Sequence, residues 1–229
     1  SPSRGLGDVY KRQVEERLKG KPLAYLIGKK GFWKNSFIVT PDVLVPRPET
    51  ETLVDAILNE NLQGKTLLEL GTGSGAISIS IAQENKDCFI FATDISIKSI
   101  LVAKQNAAKF YCENIIFLNH DWNNEWLFPQ VDYLISNPPY VNKEATTGKE
   151  EGIWHEPEKA LFSKDKGLSD LKLILTKGKN FLNENGKVYL EHAPDQYEEL
   201  NKFAVEKGYP NFSNLNDLNG DKRVSIYQC

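Results

Sequence analysis

Methionine is absent from the 229-residue chain, and cysteine occurs only at Cys88, Cys112 and Cys229. Three thiols so far apart exclude a disulfide framework or a cysteine-built zinc site, and they are expected to be reduced in a cytoplasm. No apolar stretch approaches the roughly 18 residues that a membrane-spanning helix needs. The formal net charge of −3 excludes a global basic field for nucleic acid and leaves only local patches. Without methionine the chain has no initiator, so a fragment or processed form is expected. Ser1 to about Arg12 reads as a foreign end or fusion scar. The remainder is ordinary for a globular protein, at 40% hydrophobic and 26% charged residues. Its length suits one α/β domain with a small appendage.

Short apolar runs recur at 66–70, 89–93, 115–118, 131–136 and 187–191, with helix-length segments between them. This alternation predicts an α/β fold, a mostly parallel, doubly wound sheet with helices on both faces. Near the end, 211–218 and 223–228 flank Asn-Gly-Asp and predict an antiparallel closing pair. Residues 22–45 carry Phe32, Trp33, Phe37, Ile38 and Val39, with Gly31 and Asn35 as turn residues, and read as a β-hairpin linker. Leu53, Val54, Ile57 and Leu58 recur at helical spacing within 49–60. The polar segment 142–160, with Gly148 and Gly152 and no clear period, reads as a mobile loop. The expected organisation is a remnant or foreign piece over 1–21, the hairpin linker over 22–45 and one catalytic domain over 46–229.

The run Thr66 to Leu70 leads into Gly71-Thr72-Gly73-Ser74-Gly75, and a helical apolar pattern follows from Ala76. Glycines permit a tight turn and close approach of a ligand to the backbone. The pattern fits a loose dinucleotide fingerprint, although an ordinary strand-to-helix turn has the same composition. Asp94 ends the second run, where an acid accepts hydrogen bonds from ribose hydroxyls. It is equally placed to cap the helix expected from Ile95 to Phe110. Val131 to Ser136 then ends in Asn137-Pro138-Pro139-Tyr140. Neither proline has a backbone N–H to donate, so the pair cannot sit in a helix or a central strand. It holds a short loop rigid and aims the Asn amide and the Tyr ring. An Asn amide has one acceptor oxygen and two donor hydrogens, which suits it to another planar NH2 group. A plain strand-ending turn is the alternative.

A nicotinamide dinucleotide and S-adenosylmethionine both suit the first half of this site, and the tetrad separates them. Strand, glycine loop, acid and N-P-P-Y in that order resemble the amino-methyltransferases, which methylate exocyclic or amide nitrogens. The segment Val43 to Glu51, Gly20 to Gly28 before it, Glu156 to Phe162 after it and the closing Asp217 to Val224 narrow the likeness. From about Val14 to its end the chain resembles the peptide chain release factor N5-glutamine methyltransferases. That family carries a longer helical N-terminal domain that helps hold the protein substrate, and almost all of it is expected to be missing here.

The resemblance implies the S-adenosylmethionine-dependent methyltransferase fold, a seven-stranded sheet with an antiparallel closing strand, and S-adenosylmethionine as cofactor. The strand ends that carry Gly71, Asp94, Asp121 and Asn137 should gather at one sheet edge. Gly71, Thr72, Gly73, Ser74 and Gly75 would line the methionine part and sugar, and Asp94 would hold the ribose. Asp121 and Trp122 would lie around the adenine, with Trp126 close enough to compete, and Asn137 would also touch the cofactor. Arg47 and Glu49 are placed beside the site, although the charge preference of a helix N-terminus accounts for Glu49 and Glu51 as well. Glu156 has no settled role, and His155 and His192 read as structural histidines.

The implied reaction displaces a methyl group from a sulfonium by nitrogen. A glutamine amide nitrogen is a poor nucleophile, because its lone pair is delocalised into the carbonyl. Acceptors on its two N–H groups would orient that pair and stabilise the charge that builds on nitrogen. The Asn137 side-chain oxygen and the Pro138 carbonyl are the candidates, with Tyr140 against the amide plane and Pro139 and Arg47 completing the substrate wall. Positioning and fixed dipoles carry such a step, and no strong base is needed beforehand. The expected function is methyl transfer to a glutamine side chain of translation release factors. The expected enzyme is a cytoplasmic monomer without metal, direct nucleic-acid contact or membrane. The alternative is a nucleic-acid adenine or guanine N-methyltransferase, which would have to extract its base and grip a phosphate backbone. A non-catalytic cofactor-binding scaffold is the third reading, and the intact tetrad argues against it.

Overall fold

Strands buried on both faces read as unbroken apolar runs instead of alternating ones, and Leu67, Leu68, Leu70, Leu134 and Ile135 are all fully buried. The computed structural model describes residue 11, residues 13–146 and residues 153–228. Along the chain the strands are β1 (Lys29–Phe32), β2 (Asn35–Ile38), β3 (Thr66–Leu70), β4 (Phe89–Asp94), β5 (Ile115–Asn119) and β6 (Val131–Ser136). Then come β7 (Val141–Asn142), β8 (Phe162–Ser163), β9 (Leu182–Glu191), β10 (Asn211–Asn216) and β11 (Lys222–Gln228). The helices that follow the helical residues 13–18 include α1 (Leu23–Ile27), α2 (Glu51–Leu58), α3 (Ala76–Glu84), α4 (Ile97–Lys109), α5 (Glu158–Leu161), α6 (Ser169–Gly178) and α7 (Tyr197–Glu206).

The main sheet has seven strands in the order β10-β11-β9-β6-β3-β4-β5. β9, β6, β3, β4 and β5 pair in parallel, and β11 runs antiparallel to both its neighbours. Successive strand residues point to opposite faces, so Leu67 and Tyr189 join one core while Leu68 and Val188 join the other. The first core holds Phe32 and Phe37 of the hairpin, Leu53 and Ile57 of α2 and Ile79 of α3. The second is built from Leu171 and Ile174 of α6 and Leu200 of α7. Each such buried side chain contributes about 1.5–3 kcal/mol. The doubly wound sheet with its antiparallel closing strand is therefore the fold that the sequence predicts.

Several local expectations change. The hairpin turns at Trp33 and Lys34, with Trp33 at φ +52°, while Gly31 and Asn35 sit in the paired strands. The register that buries both Phe32 and Phe37 decides this, overriding the turn preference of Gly and Asn. Leu23–Ile27 is a short helix ended by Gly28 in the left-handed region, not part of the hairpin. α4 is capped by Ser96, whose side chain accepts from the Ser99 N–H, and not by Asp94. β9 starts five residues before the predicted run, with a register shift against β6. Segment 142–160 is ordered in its described parts: β7 pairs with β8, Ile153–His155 forms a 3-10 turn and α5 follows. The rest of the predicted mobile loop, and Ser1 to Arg12 apart from Lys11, lie outside the described residues. Among the described residues no helix is long and apolar enough to cross a membrane.

Candidate active site

Parallel strands end on one edge, and there β3, β4 and β6 deliver Gly71, Asp94 and Asn137. The glycine loop is pinned to β4, because the Gly71 and Thr72 N–H groups donate to the Thr93 carbonyl at 2.9 and 2.8 Å. Asp94 accepts from the Gly73 N–H at 2.9 Å and from the Ser96 N–H at 2.8 Å. Burial raises its carboxyl above the ordinary value, against the pull of those two donors. Gly71, Gly73, Asp94, Ile97, Trp122 and Asn137 line a cavity of about 550 Å³. Gly71 has φ +78°, and a Cβ there would stand 3.2 Å from Cζ3 of Trp122. The indole is fixed in turn by Asp170, which accepts from Trp122 Nε1 at 3.0 Å and from Ser163 Oγ at 2.5 Å. Trp126 is buried beside Phe181 and donates to the Trp122 carbonyl at 2.9 Å, so it supports Trp122 from the core.

The other residues expected around the cofactor do not line this cavity. Thr72 donates to Glu69 Oε2 at 2.7 Å, and the Ser78 hydroxyl donates to the same oxygen. The Ser74 carbonyl accepts from Asn106 Nδ2 at 2.9 Å. Gly75, at φ +81°, is packed so closely that a Cβ would lie 2.8 Å from Cδ1 of Ile79. These three residues shape the loop from its inner side. Asp121 folds back on its own turn, with Oδ1 taken by the backbone N–H and Nδ2 of Asn123 at 2.9 and 2.8 Å. Glu69, fully buried beneath the loop, is pushed up to about 7 by burial, which its hydroxyl partners offset only in part.

A second cavity, of about 770 Å³, opens on the other side of Asn137, which lines both. Pro138, Tyr140, Arg47 and Glu49 line it too, with Glu156 and Arg223, whereas Pro139 faces the first cavity. Arg47 is braced by the buried Glu156, whose Oε1 lies 2.5 Å from its Nη2 and whose Oε2 accepts from the Val45 N–H at 2.9 Å. Asn137 Nδ2 donates to Thr50 Oγ1 at 3.0 Å, which leaves Oδ1 as the acceptor of that amide. The Tyr140 hydroxyl donates to Glu191 Oε1 at 2.9 Å. Burial and that carboxylate hold the phenol protonated far above its ordinary range. The Tyr140 carbonyl accepts from Gln196 Nε2 at 2.9 Å, and Gly167, at φ +90°, leaves no room there for a Cβ.

Sequence reasoning missed Thr50, Glu191, Arg223, Asp170 and Gly167. Each acts across a long chain separation; Thr50 and Arg223 fall within sequence motifs that do not reveal this role, and no local pattern marks the other three. Glu51 accepts from the Trp33 N–H at 2.8 Å and so anchors the hairpin. Neither His155 nor His192 lines either cavity. His155 Nε2 meets the Lys19 carbonyl at 2.9 Å, and the buried His192 meets Ser225 Oγ and the Ala193 carbonyl.

Residues 48–194 match the methyltransferase small domain family. A release factor glutamine methyltransferase of Coxiella burnetii is 38% identical over 217 residues, covering 93% of this chain and 77% of that protein. A solved methyltransferase from Pyrococcus furiosus superposes with a TM-score of 0.65 at 19% identity, covering 96% of this chain and 97% of that one. A 16S rRNA N2 methyltransferase of T. thermophilus, solved with AdoMet and guanosine, also gives a TM-score of 0.65, at 18% identity, covering 87% of this chain and 49% of that one. At such low identity the two solved structures speak for the fold alone.

Proposed function

The chain belongs to the release factor glutamine methyltransferase family, and we infer that it transfers a methyl group from S-adenosylmethionine to the side-chain amide nitrogen of a glutamine in a translation release factor. The first cavity fits that cofactor. Gly71 leaves space against Trp122 that any side chain would fill, and each Asp94 oxygen keeps a lone pair for a ribose hydroxyl. Gly71, Gly73, Asp94 and Trp122 are the residues we assign to it. S-adenosylmethionine, when bound, supplies a methyl group made electrophilic by its sulfonium.

The observation that carries this reading is Asn137 on the wall shared by the two cavities, with its amide nitrogen committed to Thr50. Its Oδ1 is then the acceptor for one N–H of an incoming glutamine, and the Pro138 carbonyl serves the other. Two fixed acceptors turn the nitrogen lone pair out of conjugation and stabilise the positive charge that grows on it. The Tyr140 ring, held by its hydroxyl and its carbonyl, offers a flat wall for the amide plane. The phenol stays protonated, so it acts as a wall and donor, not as a base. Arg47, braced by Glu156 on the wall of the second cavity, is the residue we assign to the backbone flanking the glutamine. The release factor is the protein partner in this reading, the chain works as a monomer, and residues 22–45 link the catalytic domain to whatever precedes it.

A nucleic-acid base is the weaker fit, because a base would also need a phosphate grip that a chain of net charge −3 does not offer overall. Labelled methyl incorporation into a purified release factor, its glutamine-to-alanine variant and RNA or DNA separates the readings. Label on the release factor alone is expected. Equal labelling of the alanine variant, or labelling of nucleic acid alone, overturns the substrate.

A further inference from the structure

Glu191 closes β9 on the sheet face that carries Tyr189, and none of it reaches solvent. An ionised carboxylate is expensive to bury unless its oxygens are well satisfied. Here Oε1 accepts from Tyr140, while Oε2 has no well-formed hydrogen bond. The Thr50 hydroxyl lies against the same carboxylate, and its oxygen already accepts from Asn137 Nδ2. Arg223, held by Asp217, approaches from β11, and Glu49 faces the group from the turn before α2. A position that served packing alone would carry an apolar side chain.

The order of donors is what matters. The Thr50 oxygen already accepts from Asn137, so its proton has to find another acceptor, and the Glu191 carboxylate beside it is the one at hand; the Asn137 oxygen is then left for substrate. Were the Thr50 proton without an acceptor, it would turn to Asn137 Oδ1, and the amide would offer substrate a donor where an acceptor is needed. We propose that Glu191 is a positioning residue for methyl transfer, a single buried carboxylate that fixes Tyr140 directly and sets the hydrogen-bond polarity of Asn137 through Thr50. The role rests on reading the second cavity as the glutamine site. Burial pushes the Glu191 carboxyl up to about 7, against the pull of its hydroxyl donors and Arg223. The relay therefore has its working polarity on the alkaline side of that value and loses it on the acid side.

The test is single-turnover methyl transfer to a purified release factor by the wild type and by Glu191→Gln, Thr50→Val and Tyr140→Phe variants, alone and combined. Cofactor affinity is measured by calorimetry, and the Asn137 side-chain amide signals are followed by NMR across pH. Glu191→Gln should slow transfer by about tenfold to a hundredfold, the usual range for a lost charge-assisted hydrogen bond. It should keep cofactor affinity and lose the acid limb of the pH–rate profile. It should add nothing in a Thr50→Val/Tyr140→Phe background, because its effect passes through those two groups. The wild-type amide signals should titrate near pH 7, and those of Glu191→Gln should stay flat. A Glu191→Gln enzyme with the wild-type rate and acid limb, a full additional loss in the double background, or wild-type amide signals flat with pH would each overturn the proposal. A wild type that leaves the release factor unlabelled while those signals still titrate overturns the functional reading, and the catalytic role of Glu191 falls with it.

Discussion

Two carboxylates, Glu69 at the end of β3 and Glu191 at the end of β9, sit buried on the same face of the sheet, one under each half of the site. Burial pushes both up to about 7, and each has one oxygen without a well-formed hydrogen bond, Oε1 of Glu69 and Oε2 of Glu191. Their partners differ. Glu69 receives the hydroxyls of Thr72 and Ser78, neither of which lines a cavity. Glu191 receives Tyr140, which does line one, and bears on Asn137 through Thr50. The first cavity is thus shaped through the backbone of a glycine loop, which suits the cofactor role proposed for it. The second is shaped through oriented side chains, which suits the proposed grip on an amide.

The sharpest break in that comparison is Asn137→Ala. Removing one preorganised acceptor should slow single turnover by about a hundredfold or more, with cofactor affinity little changed. A near-normal rate would take Asn137 out of the mechanism. Gly167→Ala comes next. Its Cβ would stand 2.0 Å from the Tyr140 carbonyl oxygen in a left-handed residue, so the tetrad must shift. A stability loss on the order of 1–3 kcal/mol is expected in urea unfolding. It should come with slower transfer and retained cofactor binding, and unaltered stability would contradict the packing described.

Glu69→Ala should act on the other half. Losing the Thr72 and Ser78 hydrogen bonds costs about 1–3 kcal/mol of stability and should weaken cofactor binding. The acid limb of the pH–rate profile should survive in this variant and vanish in Glu191→Gln, and loss of the limb in both would erase the distinction. Stability against pH is a gentler test. Both folded-state values lie above the ordinary 4.5, so the folded protein binds more protons than the unfolded chain between them. The contribution is fully present below that ordinary value and is lost as pH rises through about 7. Urea unfolding at a series of pH values should show this decline in the wild type and a flatter curve in Glu69→Gln/Glu191→Gln. The smallest effect expected is Arg47→Ala, a few-fold rise in the Michaelis constant with the chemical rate kept. A fall in single-turnover rate instead would move Arg47 into the chemistry.

The sheet, its order of glycine loop, acid and tetrad, and the cavity positions of Gly71, Gly73, Asp94, Trp122 and Asn137 were legible because each is a local pattern. Facing was not. Nothing in Gly71 to Gly75 tells which residues face the cavity, and the structure turns Thr72, Ser74 and Gly75 inward to Glu69, Asn106 and Ile79. Asp121 shows the same limit, since an Asp two residues before Asn123 closes its own turn as readily as it meets a ligand. The support shell stayed hidden for another reason. Thr50 and Glu191 act on residues 87 and 51 positions away, across separations that only the folded sheet brings together.

The most direct measurement is tandem mass spectrometry of a purified release factor after incubation with the wild-type enzyme and isotopically labelled S-adenosylmethionine. One labelled methyl on the side-chain nitrogen of a single glutamine is the expected result, absent with Asn137→Ala. A methyl on any other atom of the release factor, or a release factor left unlabelled beside labelled nucleic acid, would contradict a site built to hold a glutamine amide between Asn137, Pro138 and Tyr140.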